Sequence, residues 1–233
     1  METTTEEKIK FGRDNLKERW RFVEEAIRPA GIKDERVLKA FLQVPRHEFV
    51  MARYRKHAYE DRPLPLEESQ TISQPSLVAI MTNLLRLKGN EKVLEVGTGS
   101  GYQAAILSRL AKEVYTIERI PFLAQQAETV CKKLGFKNIH FHIGDGTLGL
   151  IQFQPYDAII VTAGANKVPQ PLIDQLKIGG KLVIPVGETL LDQKLKVITK
   201  DKGGLNIYEV ESVAFVPLVG KHSWKNNFKN LIV

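Results

Sequence analysis

Val93-Leu94-Glu95-Val96-Gly97-Thr98-Gly99-Ser100-Gly101-Tyr102-Gln103 passes from a β-branched apolar run through an acid into three glycines at alternate positions, then into the apolar pattern of Ala104 to Ala111. The spacing predicts a strand, a tight turn and a helix in direct succession. Glycine at such a turn lets a ligand approach the backbone where a Cβ would clash. The first turn of the following helix offers amide groups that have no partner within the helix. A small molecule is therefore expected at the carboxyl end of this strand.

The glycine spacing narrows the choice of molecule. A dinucleotide fingerprint reads G-x-G-x-x-G and sets a pyrophosphate on the helix N-terminus, whereas here Gly101 comes one residue early. Glu95, two residues before Gly97, would repel a pyrophosphate and attract a ligand with a positive centre. S-adenosylmethionine has an ammonium and a sulfonium and no phosphate. The pattern E-x-G-x-G-x-G resembles the first motif of the Rossmann-like methyltransferases, so Glu95, Gly97, Thr98, Gly99 and Gly101 are expected to hold that cofactor.

Beyond Gly101 strands and helices alternate. Glu113 to Glu118, Asn138 to Asp145, Asp157 to Thr162 and Lys181 to Val186 read as strands, with helices over Pro121 to Leu134 and Pro169 to Leu176 and a turn at Gly179-Gly180. This alternation predicts an α/β fold with a doubly wound, mostly parallel sheet. Lys194 to Thr199 and Leu205 to Leu218, joined by Lys202-Gly203-Gly204, predict an antiparallel hairpin that completes it. Ligands bind such sheets at the carboxyl ends of strands. Two further acids fall at such ends. Glu118 is placed to accept from both ribose hydroxyls, and Asp145, followed by Gly146, to accept from the adenine amino group.

Upstream, Glu6 to Ile27 reads as an amphipathic helix ended by Pro29 and Gly31, and Asp34 caps a second helix stopped before Pro45. Residues 60–69 form a Pro-rich charged connector. Gln70-Thr71-Ile72-Ser73-Gln74-Pro75-Ser76 then precedes an apolar helix from about Ser76 to Leu87. Three hydroxyls within six residues are more than one helix cap requires, so a functional role and a capping role both stand at this point. Residues 1–75 are taken as a helical extension carrying a substrate segment, and residues 76–233 as the cofactor-binding domain, together one compact unit.

Bulk properties exclude several classes. The chain has 233 residues, 43% of them hydrophobic and 26% charged, an ordinary globular composition. Its formal charge of +7 is spread mildly over both ends without a run of Lys/Arg interleaved with aromatics, so no nucleic-acid partner is expected. The single cysteine, Cys131, sits at an apolar helical position and can form no intrachain disulfide. Five scattered histidines without i, i+4 pairing predict no metal site, and His47 and His57 are read as structural. Met1 to Lys10 has no apolar core, and no apolar run approaches the ~20 residues that span a bilayer. A cytoplasmic, membrane-free monomer is the expectation.

Six segments in collinear order over about residues 35–220 carry a closer resemblance. They are Gln70 to Pro75, Val93 to Gln103, Gly144-Asp145-Gly146, Pro155 to Ala163, Gly179-Gly180 with Pro185-Val186-Gly187, and Phe215-Val216-Pro217-Leu218. Together they resemble the protein-L-isoaspartate O-methyltransferase family. The resemblance implies transfer of a methyl group from S-adenosylmethionine, leaving S-adenosyl-L-homocysteine, to the free carboxylate of L-isoaspartyl residues in damaged proteins. It gives Ser73 the role of orienting that carboxylate, with Thr71, Ile72, Thr162, Ala163, Val216 and Leu218 around the substrate. A methyltransferase acting on a small molecule or RNA shares the cofactor cradle and is the alternative.

Overall fold

The computed structural model describes residues 15–189 and 191–224. Its main sheet contains seven strands: β3 (Lys92–Val96), β4 (Glu113–Glu118), β5 (Ile139–Ile143), β6 (Tyr156–Val161), β7 (Leu176–Gly187), β8 (Gln193–Asp201) and β9 (Gly204–Val213). Their spatial order is β5-β4-β3-β6-β7-β8-β9. Pairings from β5 through β7 are parallel, and β8 and β9 add antiparallel. The chain builds outward from β3 to β5 and then crosses back to lay β6 on the other side of β3. The crevice between β3 and β6 is thus the switch point where an open α/β sheet binds its ligand.

Parallel strands covered on both faces read as continuous apolar runs, and β3 and β6 do so: Val93, Leu94, Ile159, Ile160 and Val161 have no exposed surface. One apolar core joins Val93, Ile160 and Val183 to the N-terminal helices, and a second, on the opposite face, centres on Leu94, Ile159 and Leu182. Helix α1 (Leu16–Phe22) runs into a π-helical turn, Val23–Ile27, and α2 (Glu35–Gln43) follows. Asp34 caps α2 as expected, its carboxylate accepting from the Arg36 amide at 2.9 Å. Ile27 and Phe41 are wholly buried, each contributing about 1.5–3 kcal/mol by area. Phe41 stands edge-on to Tyr102, ring centroids 6.1 Å apart, which docks the helical extension onto the helix after the glycine turn. The predicted first helix is described from Leu16 onward; residues 6–14 lie outside the described residues, as does the tail beyond Trp224.

Three local readings are revised. The Pro-rich connector contains a small antiparallel pair, β1 (Leu64–Pro65) with β2 (Thr71–Ile72), joined by a turn in which Glu68 and Ser69 have positive φ. Gly179-Gly180 is a bulged part of β7 and not a separate turn, since a Cβ on Gly180 would come within 2.9 Å of the Asp157 carbonyl. Strand β9 stops at Val213, and residues 214–224 return over the carboxyl edge of the sheet, bridging Gly164 to Pro217. Helices α3 (Pro75–Leu84), α4 (Tyr102–Leu107), α5 (Pro121–Lys133) and α6 (Gln170–Asp174) complete the layers. No helix among the described residues is long and apolar enough to cross a membrane.

Candidate active site

A cavity of about 720 Å³ opens at the switch point, within the range of pockets that enclose a small ligand. Its floor is the glycine turn from Val96 to Ser100. One wall is the end of β4, from Ile117 to Ile120. Gln70 to Ser73 and Phe215 to Val219 close it from above, with Trp224. Gly97, Thr98, Gly99, Glu118, Gly146, Thr71, Ile72, Ser73, Thr162, Ala163, Val216 and Leu218 all line this single space, though they come from six parts of the chain. Gly101, at φ +85°, begins α4 behind the lining.

Two glycines are dictated by close approach. Gly97 has φ +97°, and a Cβ there would sit 2.5 Å from Thr162 Oγ1. Thr162 uses that hydroxyl to donate to the Gly97 carbonyl at 2.6 Å, so the turn is locked to the end of β6. A Cβ on Gly146 would meet Val96 Cγ1 at 2.5 Å, which brings the chain after β5 against β3.

Glu118 clamps the turn from the side. Its Oε2 accepts from the Gly99 amide and its Oε1 from the Ile120 amide, both at 3.0 Å. Each carboxylate oxygen keeps a second lone pair for a ligand hydroxyl. Gln103, 7% exposed, donates through Nε2 to Thr82 Oγ1 at 2.9 Å and leaves Oε1 as a buried acceptor without a partner at the cavity edge. Sequence reasoning did not single out Gln103, although it closes the opening stretch.

The structure places Glu95 and Asp145 outside the cavity lining, each held by protein partners. Glu95 is fully buried beneath the turn and does not line the cavity. Its Oε2 accepts from Thr116 Oγ1 at 2.5 Å, and since Thr116 has one hydroxyl proton, Thr98 Oγ1 donates to it in turn at 2.6 Å. Burial, together with the charge on Glu118, pushes the Glu95 carboxyl up to about 8, against a partial offset from the Thr116 bond. It is therefore largely neutral at pH 7 and braces Thr98 through Thr116. A raised folded value makes stability greatest below the ordinary carboxylate value of 4.5 and lowers it as pH rises toward 8. Glu95→Gln, an isostere of the neutral acid, should flatten that slope of up to ~1.4 kcal/mol per pH unit. Urea unfolding at pH 5, 7 and 8 checks this, and identical pH dependence in variant and parent would refute it.

Asp145 also lies outside the lining. Its Oδ1 accepts from the Thr147 amide at 2.9 Å and hydroxyl at 2.6 Å, and its Oδ2 from the Lys221 amide at 2.7 Å. Thr147 Oγ1 then accepts from the His222 amide at 3.1 Å. Burial raises the Asp145 carboxyl, but these bonds outweigh it and hold the group below its usual range. Asp145 is thus a latch for the segment that carries Leu218, Val219 and Trp224 over the cavity, where Trp224 Nε1 donates to the Gly164 carbonyl at 2.9 Å. Removing it in Asp145→Ala should cost about 2 kcal/mol, or roughly 4–8 °C in Tm for a domain of this size. Calorimetric melting decides; an unchanged Tm would mean the latch carries no load.

The acceptor side is held by neighbouring backbone. The Thr162 amide donates to the Val96 carbonyl at 2.9 Å, so it is not free for a peptide. Gly164 N donates to the Val216 carbonyl at 2.8 Å and Leu218 N to the Gly164 carbonyl at 2.7 Å, which pins Val216 and Leu218 beside β6. The buried Gln193 amide grips Phe215 at both its N–H and its carbonyl, each at 3.0 Å. Glu67 and Glu68 stand in the β1–β2 turn outside the lining, away from any anionic substrate. A groove of about 300 Å³ shares Thr71, Ser73, Thr162, Phe215 and Val216 with the cavity and leads out between Ser76, Leu77 and Glu211. His47 contacts the Tyr59 hydroxyl at 2.7 Å and His57 contacts Glu60 at 2.5 Å, both away from the lining. Among the described residues no His/Cys/Asp/Glu group could hold a metal ion.

Residues 18–223 match the family model described as Protein-L-isoaspartate(D-aspartate) O-methyltransferase (PCMT). A Dictyoglomus turgidum protein-L-isoaspartate O-methyltransferase is 54% identical over 202 residues, covering 87% of this chain and 91% of that one. The Pyrococcus horikoshii protein of the same name is 49% identical over 213 residues, covering 90% of this chain and 97% of its own. Among solved structures, a protein-L-isoaspartate O-methyltransferase superposes with a TM-score of 0.79 at 32% identity, covering 91% of this chain and 67% of that chain. A Plasmodium falciparum chain described as a protein-L-isoaspartate O-methyltransferase, in complex with S-adenosyl-L-homocysteine, gives 0.75 at 27% identity, covering 86% and 98%. By sequence over nearly its whole length, and by a fold whose switch-point cavity gathers the glycine turn, Glu118 and Ser73, this chain belongs to the protein-L-isoaspartate O-methyltransferase family.

Proposed function

We propose that the cavity brings S-adenosylmethionine and the free carboxylate of an L-isoaspartyl residue together for methyl transfer, which begins the repair of damaged proteins. The observation that carries this reading is that Ser73 and the Glu118-clamped glycine turn face one space, and that space continues into a groove suited to the flanking peptide. The residues present fit the cofactor: a turn whose three glycines all have positive φ, a carboxylate with free lone pairs, and the orphan acceptor of Gln103. When bound, S-adenosylmethionine supplies a methyl group activated by its sulfonium.

A carboxylate with a pKa near ~4 is already ionised at pH 7, so the site needs no general base. Among the described residues the cavity lining holds no histidine, lysine or cysteine. The task left to the protein is orientation and exclusion of water. Glu118 accepts from the ribose hydroxyls and keeps Gly97, Thr98 and Gly99 in place. Ser73 donates to the substrate carboxylate and aims one oxygen at the methyl. Thr71, Ile72, Thr162 and Ala163 wall the reacting centre, and Val216 and Leu218 flank the peptide. Gly146 completes the lining beside the turn, and Glu95, Gly101 and Asp145 act from behind, on the turn and on the overlying segment. A monomer is the proposed working unit.

Incubation with methyl-labelled S-adenosylmethionine and matched aspartyl and isoaspartyl peptides tests the reading. Base-labile methanol released from the isoaspartyl peptide alone is expected. Equal labelling of the aspartyl peptide, or label passing to RNA or a small metabolite instead, would overturn it.

A further inference from the structure

Arg46 is one of two arginines among the described residues with no exposed surface, and nothing in the reaction above uses it. It follows Pro45 in the helical extension, yet its side chain reaches three separate parts of the molecule. Its Nε donates to the Ala58 carbonyl at 2.9 Å and its Nη2 to the Ser73 carbonyl at 2.8 Å. The guanidinium lies over the ring of Tyr102, 4.8 Å from its centroid. Tyr102 opens helix α4 directly after the glycine turn and lines the cavity, as Ser73 does. One planar group therefore bonds to the backbone of the acceptor residue while stacking on the first residue of the donor-side helix.

The arrangement is costly for mere packing. Burial pulls the Arg46 guanidinium down to about 10, and its Nη1 and the nearby Tyr102 hydroxyl are both buried without a well-formed hydrogen bond. A buried arginine with an apolar isostere available is weak evidence for stability and better evidence for a fixed geometry. The rigid fork is what the geometry needs, because two carbonyls from different segments are held at a set angle, which a lysine cannot reproduce. Arg19, the other fully buried arginine, bonds the Leu42 and Gln43 carbonyls at the end of α2 and lies outside the cavity lining.

We infer that Arg46 is a positioning residue for methyl transfer: it fixes the backbone of Ser73 relative to Tyr102 and the glycine turn, and so sets the distance between acceptor and donor. This rests on the functional reading above. It acts through Ser73 and touches neither substrate nor cofactor.

The test compares wild type, Arg46→Met, Arg46→Lys and Arg19→Met in steady-state kinetics on an isoaspartyl peptide, with S-adenosyl-L-homocysteine affinity measured calorimetrically on the same preparations. A wild type that methylates no isoaspartyl peptide defeats the functional reading itself, a result distinct from failure of this assignment. With an active wild type, Arg46→Met should lower kcat about tenfold or more while the homocysteine Kd stays within about threefold. Arg46→Lys should recover part of the loss, and folded Arg19→Met should keep kcat within about twofold. Wild-type kcat in Arg46→Met, cofactor affinity falling in step with kcat, or an equal loss in Arg19→Met would each overturn the assignment. Should Arg46→Met fail to fold, Arg46→Lys decides alone: a drop of about threefold or more supports positioning, and unchanged kcat refutes it.

Discussion

Replacing Glu118 with alanine is expected to weaken binding of S-adenosylmethionine and of its homocysteine product by about 2–4 kcal/mol, or roughly 30- to 1,000-fold at ~1.4 kcal/mol per tenfold. Two losses combine. The ribose hydroxyls lose a charged acceptor, and a charge-assisted hydrogen bond is worth about 1.5–3 kcal/mol. The Gly99 and Ile120 amides, each held by one carboxylate oxygen at 3.0 Å, are released at the same time. With 8% of its surface exposed, Glu118 is poorly compensated by water when removed. Glu118→Gln retains one acceptor oxygen and should fall between. Titration calorimetry with S-adenosyl-L-homocysteine is the measurement; wild-type affinity in the alanine variant would remove Glu118 from the cofactor site. A melting temperature within a few degrees of wild type would show that the loss arises in the site and not in the fold.

The contrast between Glu118 and the other two strand-end acids shows how far sequence spacing reaches. All three were legible as acids at or just past the carboxyl ends of strands, because β3 and β4 carry apolar runs and β5 an apolar alternation of Ile139, Phe141 and Ile143, although β5 ends two residues before Asp145. Period and punctuation predict where a strand ends; they do not predict which side a terminal residue takes. Glu95 points into the layer beneath the turn, where Thr116 from the neighbouring strand receives it, and Asp145 turns toward residues 75 and more positions later in the chain. Both destinations are fixed by tertiary partners that no local pattern announces. Arg46 was hidden for the same reason. An arginine after a proline in a charged extension reads as solvated surface, and only the packing of Ala58, Ser73 and Tyr102 around it shows otherwise. The glycines were easier. Each answers a backbone demand that glycine alone meets, so Gly97 could be read as a close-approach position before Thr162 was known to be its neighbour.

Ser73→Ala should lower kcat on an isoaspartyl peptide by about 10- to 100-fold while leaving cofactor affinity within about twofold, since a misplacement of ~1 Å costs on the order of 100-fold. The sign follows from two opposing effects. A hydrogen bond to a carboxylate stabilises its charge, and that charge diminishes as the oxygen takes the methyl. Loss of the hydroxyl would on this ground alone make the oxygen more nucleophilic and raise the rate. A fall in kcat therefore measures orientation, and the structure favours orientation: Ser73 is half-buried, its carbonyl is fixed by Arg46 at 2.8 Å, and it lines both the cavity and the groove. Single-turnover kinetics with saturating S-adenosylmethionine separate the chemical step from product release. A variant as fast as wild type in that step would show that the walls of the cavity orient the carboxylate without Ser73, and a faster one would show that the charge effect wins.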